Sequence, residues 1–318
     1  VTRNLTTLAD SVPSGLVSGR QSLRDLTLAI APAARWLSDE QGRLRLSELD
    51  DASCLASTDH AGDFSGLTVL IATKTQLAAV LATLDLDGLA RRILLCPPDL
   101  DPVHLPAIID DAGVNVIVTD GTFPLPAGAP CRVITCHRKP SHKAPVSGGG
   151  IATEWVLFTS GTTGRPKMVV HTLASLSGPL DDGARLPSNA VWSTFYDVRR
   201  YGGLQILLRA LIGGGSMVLS GAHEPVGDFI DRAATDGVTH ISGTPSHWRR
   251  ALMSPLLALF KPNYVRLSGE PADQAILDQL KRAFPAARLS HAFASTEAGV
   301  AFDVRDGRAG IPAAYIDD

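Results

Sequence analysis

Apolar and polar positions follow two long, regular stretches of alternation along the chain. Residues 1–50 form a lead-in, with a short apolar patch at Leu26–Ile30 and apolar positions in Trp36–Ser38 and Arg43–Leu46, on either side of the turn-like Asp39–Gly42. From Leu67 the pattern becomes regular. Leu67–Ala72 is an apolar run of strand length, Gln76–Leu86 has helical spacing and Arg92–Cys96 is a second strand; Pro102–Ala112 is a helix opened by proline, and Asn115–Thr119 is a third strand. Strands alternating with helices predict a parallel sheet with crossover connections. Lys139–Gly150, carrying Pro140, Pro145 and Gly148–Gly150, is the best linker in the chain.

Beyond the linker the alternation resumes. Strands are expected at Glu154–Thr159, Met168–His171, Ala190–Thr194, Ser216–Ser220, Thr239–Ser242, Tyr264–Ser268 and Arg288–Ala292. Helices are expected from about Thr172 and at Gly203–Ile212, Val226–Thr235, Pro245–Met253 and Asp273–Phe284. In the last of these Ile276, Leu277, Leu280 and Phe284 share one face, as packing on a sheet requires. The pattern therefore predicts an α/β protein with two α/β layers: a lead-in and first subdomain over 1–150, a second over 151–302, and a short third segment over 303–318.

Composition narrows the function. Twenty-nine basic and 32 acidic residues leave a net charge of −3, with 45% hydrophobic and 5% aromatic residues, which argues against disorder and against binding nucleic acid through phosphate contacts. The longest uncharged stretch, Ala210–His223, is interrupted by Gly213–Gly215 and falls short of the roughly 20 apolar residues of a membrane span. The first residues show no apolar run with a cleavage site, so no secretory signal is expected and the location is expected to be cytoplasmic. Among the four cysteines, Cys131-x4-Cys136-His137 invites a metal reading, but the segment alternates like a strand in which cysteine is a small hydrophobe.

The chemistry concentrates in Phe158-Thr-Ser-Gly-Thr-Thr-Gly-Arg-Pro-Lys167, between two strands. Its glycines allow close backbone approach, its hydroxyls donate hydrogen bonds, and its lysine adds positive charge: a set suited to phosphate. Its spacing is not that of a Walker loop. No Gly-x-Ser-x-Gly nucleophile elbow and no Gly-x-Gly-x-x-Gly dinucleotide loop accompanies it.

Thr159–Lys167 resembles the phosphate-loop signature of the adenylate-forming (AMP-binding) superfamily, which comprises acyl- and aryl-CoA synthetases, peptide-synthetase adenylation domains and luciferases. Further segments match in the family's order. Arg45–Leu49 resembles the "sYxEL" element, Tyr201–Gly213 the helix opening the acid pocket, Ser242–Ser246 its later wall, Ser268–Pro271 the strand end flanking adenine, and Phe293–Glu297 the "YGxTE" element. The resemblance implies two stacked doubly wound sheets with flanking helices. It also implies that Thr159, Ser160, Gly161, Thr162, Thr163, Gly164 and Lys167 hold the β- and γ-phosphates of ATP, and that Gly269, Glu270, Pro271, Phe293, Ala294 and Ser295 surround adenine. Thr296 would bond the α-phosphate, Glu297 would bind Mg²⁺, and Tyr196, Asp197, Gly202, Gly243 and Thr244 would line the acid pocket. Lys167, Thr296 and Glu297 are the catalytic candidates.

The implied reaction is ATP-dependent activation of a carboxylic acid to an acyl-adenylate, followed by transfer to the thiol of CoA or of a phosphopantetheine carrier protein. An amino-acid adenylation domain and a non-catalytic nucleotide- or partner-binding module are the alternatives. Ala294 stands where the family has glycine, and Met168 where glycine follows the lysine, each adding a side chain. Asp197, within Phe195–Arg200, could favour a substrate carrying a donor group, and Arg199 or Arg200 could pair with a second carboxylate. Asp306–Pro312 resembles a "GxxGxP" element, after which no Thr-Gly-Asp follows; the chain is expected to be a fragment ending before a β-rich part and a small C-terminal domain.

Overall fold

The computed structural model describes residues 5–7, 21–55, 64–126, 128, 130–143, 150–159, 164–180, 187, 189–297 and 299–311. Residues 1–184 and 185–318 form two compact units.

The first unit is built on a seven-stranded sheet in the order β1-β11-β10-β6-β5-β7-β8. Its strands are β1 (Leu5–Thr7), β5 (Thr68–Ile71), β6 (Arg92–Leu95), β7 (Val116–Thr119), β8 (Arg132–Thr135), β10 (Glu154–Thr159) and β11 (Lys167–Thr172). Two small pairings accompany it: the antiparallel hairpin of β2 (Trp36–Asp39) and β3 (Gly42–Arg45), and β4 (Ala52–Ser53) with β9 (His142–Lys143). β5 and β7 are buried at every position, as expected of parallel strands covered on both faces. The helices are α1 (Leu23–Leu28), α2 (Gln76–Leu86), α3 (Leu105–Ala112) and α4 (Leu173–Ser177). α2 is buried along its whole length and is capped by Thr75, whose hydroxyl accepts from the Ala78 N–H.

Buried polar groups tie the lead-in to this unit. Asp87 accepts from the Leu23 N–H at 2.7 Å and from Trp155 Nε1 at 2.9 Å, while Arg24 pairs with Asp85 and reaches the carbonyls of Leu49 and Ala52. Burial pushes the Asp87 carboxyl up to about 6, although both hydrogen bonds oppose the shift.

In the second unit six strands run in the order β17-β16-β15-β14-β12-β13. They are β12 (Val191–Thr194), β13 (Ser216–Leu219), β14 (His240–Gly243), β15 (Tyr264–Ser268), β16 (Arg288–Ser295) and β17 (Gly299–Val304). All pair in parallel except β16 with β17. The connecting helices are α5 (Tyr201–Gly213), α6 (Val226–Thr235), α7 (Pro245–Leu252) and α8 (Gln274–Ala283). The chain leaves β12 for β13 on one side and returns to β14 on the other, so the strand order reverses between β12 and β14. In an open parallel sheet such a reversal opens a crevice outside the carboxyl ends of the two strands.

The architecture is the α/β class expected, with the anticipated strands and helices close to their spans; β1, β4 and β9 were not expected, and β9 lies within the Lys139–Gly150 segment expected to be a linker. Pro102–Ala112 divides into a 3₁₀ turn at Pro102–His104 and α3, each started by proline. β17 was not expected; its half-buried positions carry a weak apolar signal. Taken alone, Ser295-Thr296-Glu297 suits a helix start, but β16 runs through Ser295 and Thr296 and Glu297 lie in the turn to antiparallel β17. The Cys131–Cys136 segment is strand β8 with its flanks, and the Cys136 thiol is buried with Sγ 3.5 Å from the Ala78 carbonyl.

Candidate functional site

The carboxyl ends of β12, β14 and β15 place Thr194, Gly243 and Ser268 side by side, through the registers Thr194↔Ser242 and Gly243↔Leu267. Four of the five acid-pocket candidates, Tyr196, Asp197, Gly243 and Thr244, lie on the two segments that leave the reversal point; Gly202 opens α5 just beyond. Phe195 anchors the first segment. Its N–H donates to the Ser242 carbonyl at 3.0 Å, and its ring stacks on His247 at 5.4 Å and meets Phe229 and Trp248 edge-on.

Tyr196 joins two of the strand ends. Its hydroxyl donates to the Ser268 carbonyl at 2.6 Å and lies 3.0 Å from Ser268 Oγ, and burial pushes its pKa up to about 12. A Cβ on Gly269 would lie 3.5 Å from Thr244 Cγ2 and 4.0 Å from the Tyr196 hydroxyl, so Tyr196, Thr244 and Gly269 converge. Gly269 itself has φ +83°, a conformation that glycine adopts without strain.

Thr244 is the N-cap of α7. Its hydroxyl accepts from the His247 N–H at 3.1 Å, and its own N–H lies 3.2 Å from His247 Nδ1. Burial lowers the His247 pKa. Glu270 reaches the same helix end, accepting from the Ser246 N–H at 3.0 Å and the Ser246 hydroxyl at 2.6 Å, and the hydroxyl bond holds its carboxyl below the usual range. Ser246 entered the sequence reading only as the end of the Ser242–Ser246 segment, and His247 did not enter it. Proline followed by Ser-His at a strand end signals the helix start, but no local pattern reveals a partner 24 residues away.

Asp197 and Arg199 satisfy one another. The Asp197 carboxylate accepts from Arg199 N–H at 2.9 Å, Nε at 2.7 Å and Nη2 at 2.5 Å, and the Arg199 side chain is fully buried. Arg199 is committed to Asp197 inside the fold, which corrects the expectation that it pairs with a second carboxylate. The turn they close is fixed from the other side: a Cβ on Gly203 would lie 2.1 Å from the Asp197 carbonyl oxygen. A Cβ on Gly202 would meet the Tyr196 ring at 3.6 Å, an ordinary contact.

Phe293 lies one residue beyond Ala292, the register partner of Ser268, and is 56% exposed, its ring stacked on Phe302 at 5.6 Å. The β16–β17 register shifts between Phe293 and Ala294, so Ala294 sits at an irregularity in the pairing. Ser295 and Thr296 are half-buried and Glu297 is exposed. Gly269, Glu270 and Pro271 are exposed at the neighbouring strand end. Among the described residues no group of three or more His, Cys, Asp or Glu side chains could hold a metal ion.

In the first unit, Thr159 pairs with Lys167 across antiparallel β10 and β11, so the phosphate-loop candidate connects the two strands of a hairpin. Ser160, Gly161, Thr162 and Thr163 lie outside the described residues. Gly164 has φ +79°, Lys167 is exposed, and Arg165 pairs with Asp111 at 3.1 Å. Met168 pairs opposite Phe158 and buries its side chain in the core with Leu70, Leu94 and Val156, so the residue in place of glycine serves packing.

The AMP-binding enzyme family model matches residues 50–315. Among solved structures, the N-terminal subdomain of NpsA from Klebsiella oxytoca is similar at 16% identity and a TM-score of 0.69, covering 93% of this chain and 80% of that one. A malonyl-CoA ligase complex with methylmalonyl-CoA and AMP is similar at 23% identity and a TM-score of 0.69, covering 86% of this chain and 61% of that one. The nonribosomal peptide synthetase FmoA3 is similar at 16% identity and a TM-score of 0.68, covering 91% and 32%. No curated protein sequence matches the chain. No helix among the described residues is long and apolar enough to cross a membrane.

Proposed function

The chain belongs to the AMP-binding enzyme family, and from that premise we propose that it activates a carboxylic acid with ATP, forming an acyl-adenylate and releasing pyrophosphate, before the acyl group passes to a thiol of CoA or of a carrier protein. A carboxylate is a poor electrophile; attack of its oxygen on the α-phosphorus forms a mixed anhydride with a good leaving group. The protein's task is to orient the acid and to stabilise the charge that builds at the α-phosphate. The observation that carries this reading is the convergence of Tyr196, Thr244 and Gly269 where the parallel strand order reverses, on segments that also match the family's motifs.

In this reading Tyr196, Gly202, Gly243 and Thr244 border the acid, and the exposed ring of Phe293 and the segment Gly269–Pro271 meet adenine. Ala294 and Ser295 flank that ring, and Thr296 donates to the α-phosphate. Lys167, with Thr159, Gly164 and the loop residues between them, meets the β- and γ-phosphates. Glu297, an exposed carboxylate, suits Mg²⁺, which binds through one or two carboxylates plus phosphate oxygens and would supply positive charge against the triphosphate. The reaction is proposed to run in the cytoplasm, where ATP, Mg²⁺ and thiol acceptors are available.

ATP–pyrophosphate exchange with fatty, aromatic and amino acids tests the proposal. Exchange with at least one acid is expected. Silence across the series, together with no ATP binding by calorimetry, would refute it.

A further inference from the structure

Phe293 is the one exposed aromatic side chain among the described residues. A single exposed apolar ring is ordinary on a protein surface, but this one is built into its place. Phe302, half-buried, pairs directly opposite it in β17, so both rings stand on the same face of the sheet. Their centroids are 5.6 Å apart and their planes 18° from parallel, an offset stack. β17 is held in register at the next residue: Asp303, opposite Ala292, accepts from the buried Arg266 of β15 at 2.8 Å and from Arg305 at 2.9 Å. Immediately after Phe293 the pairing shifts, an irregularity of the kind that re-aims a side chain at the end of a strand. The stack covers one face of the Phe293 ring, and its 56% exposure leaves the other open.

We infer that Phe302 is a positioning residue for the nucleotide base: it braces the Phe293 ring as a flat platform against which the purine stacks. The inference rests on the adenylation reading above, in which Phe293 meets adenine, and adds to it a residue outside every motif segment. A base gains most from a ring that does not have to be immobilised when it binds. The side chain of a phenylalanine at a strand end has two torsions to fix, and contact with a second ring on an anchored strand fixes them before the base arrives. Phe302 meets neither the phosphates nor the acid in this reading, so its loss acts on affinity for the base and not on the chemical step.

Calorimetry with ATP and Mg²⁺ and pyrophosphate exchange, run on single and double variants, test the inference. Phe302→Ala is expected to weaken ATP binding about fivefold and to raise the KM for ATP by a similar factor, with kcat within about twofold of the parent. Phe302→Tyr, which keeps the ring, should recover the parent values. Phe293→Ala should weaken ATP binding about tenfold, and adding Phe302→Ala to it should bring no further loss, because the platform is already gone. If Phe302→Ala fails to fold, Phe302→Leu keeps apolar volume without a ring and is expected to show the same weakening of ATP binding. Unchanged affinity in the folded Phe302 variant or in Phe293→Ala, or an equal loss from the Phe302 change with and without Phe293, overturns this inference and leaves adenylation standing. A parent protein that neither binds ATP nor supports exchange with any acid overturns the adenylation reading and this inference with it.

Discussion

Arg199 and Asp197, two residues apart, form a forked ion pair whose guanidinium is wholly buried at the mouth of the second unit's sheet. The pair braces the six-residue segment that turns from the end of β12 into α5, with the guanidinium fully buried and the carboxylate partly exposed. Removing one partner strands the other: Asp197→Ala is expected to destabilise the protein by about 3 kcal/mol. Replacing both with apolar residues of similar size should restore most of that loss. Urea titrations of the two single variants and the double variant measure the coupling directly.

Adjacent glycines at the start of α5 should respond differently to the same substitution. A Cβ at Gly203 would meet backbone atoms of Asp197 and Val198 at 2.1–2.9 Å, whereas at Gly202 it would meet the Tyr196 ring at 3.6–3.8 Å. Gly203→Ala is therefore expected to lose about 2 kcal/mol or more, because backbone must move. Gly202→Ala should stay within about 1 kcal/mol of the parent, and thermal melts will show the contrast.

Lys167 and Glu297 are exposed, so their roles can be separated from folding. Lys167→Ala is expected to change stability by less than about 0.5 kcal/mol and to weaken ATP binding about tenfold by loss of a phosphate charge. Glu297→Gln should raise the Mg²⁺ concentration needed for half-maximal exchange. Calorimetry with ATP and a Mg²⁺ titration of exchange are the measurements, and unchanged behaviour in both variants removes the assignment.

Ser246 holds Glu270 and so fixes the segment that the proposed reading places beside adenine. Ser246→Ala keeps the amide donor and loses the shorter hydroxyl bond. The expected result is a rise of about fivefold in the KM for ATP with little change in kcat. Ser246→Thr, which keeps the hydroxyl, should recover the parent value.

Two groups, half-buried His240 and buried Asp87, give opposed pH dependences of stability. Burial, reinforced by Arg288, lowers the His240 pKa from 6.5 to about 4, so the unfolded chain takes up its proton first and stability rises with pH between about 4 and 6.5. Burial raises the Asp87 pKa from 3.8 to about 6, so the folded protein holds that proton more tightly and stability falls with rising pH between about 4 and 6. His240→Phe, which keeps a ring against Trp192, should remove the rising contribution and leave the falling one. Urea midpoints at pH 4.5, 5.5 and 7 in parent and variant test the sign.

The sequence by itself determined the strand and helix alternation, because runs such as Thr68–Ile71 and Val116–Thr119 are apolar enough to specify parallel strands buried on both faces. It determined the order of the motif segments for the same reason: each is a local string. Glycine at 269 is legible too, since a left-handed strand end favours it. What only the tertiary structure decided are the relations between distant strings. Trp155 meeting Asp87, Tyr196 meeting the Ser268 carbonyl and Ser246 meeting Glu270 join residues 68, 72 and 24 positions apart, and no periodicity encodes such distances. The Asp197–Arg199 pair is close in sequence, yet its meaning was also tertiary. Whether two opposite charges face solvent, a ligand or each other depends on the burial that β12, α5 and Gly203 impose, because burying a charge without a partner costs more than any local preference supplies.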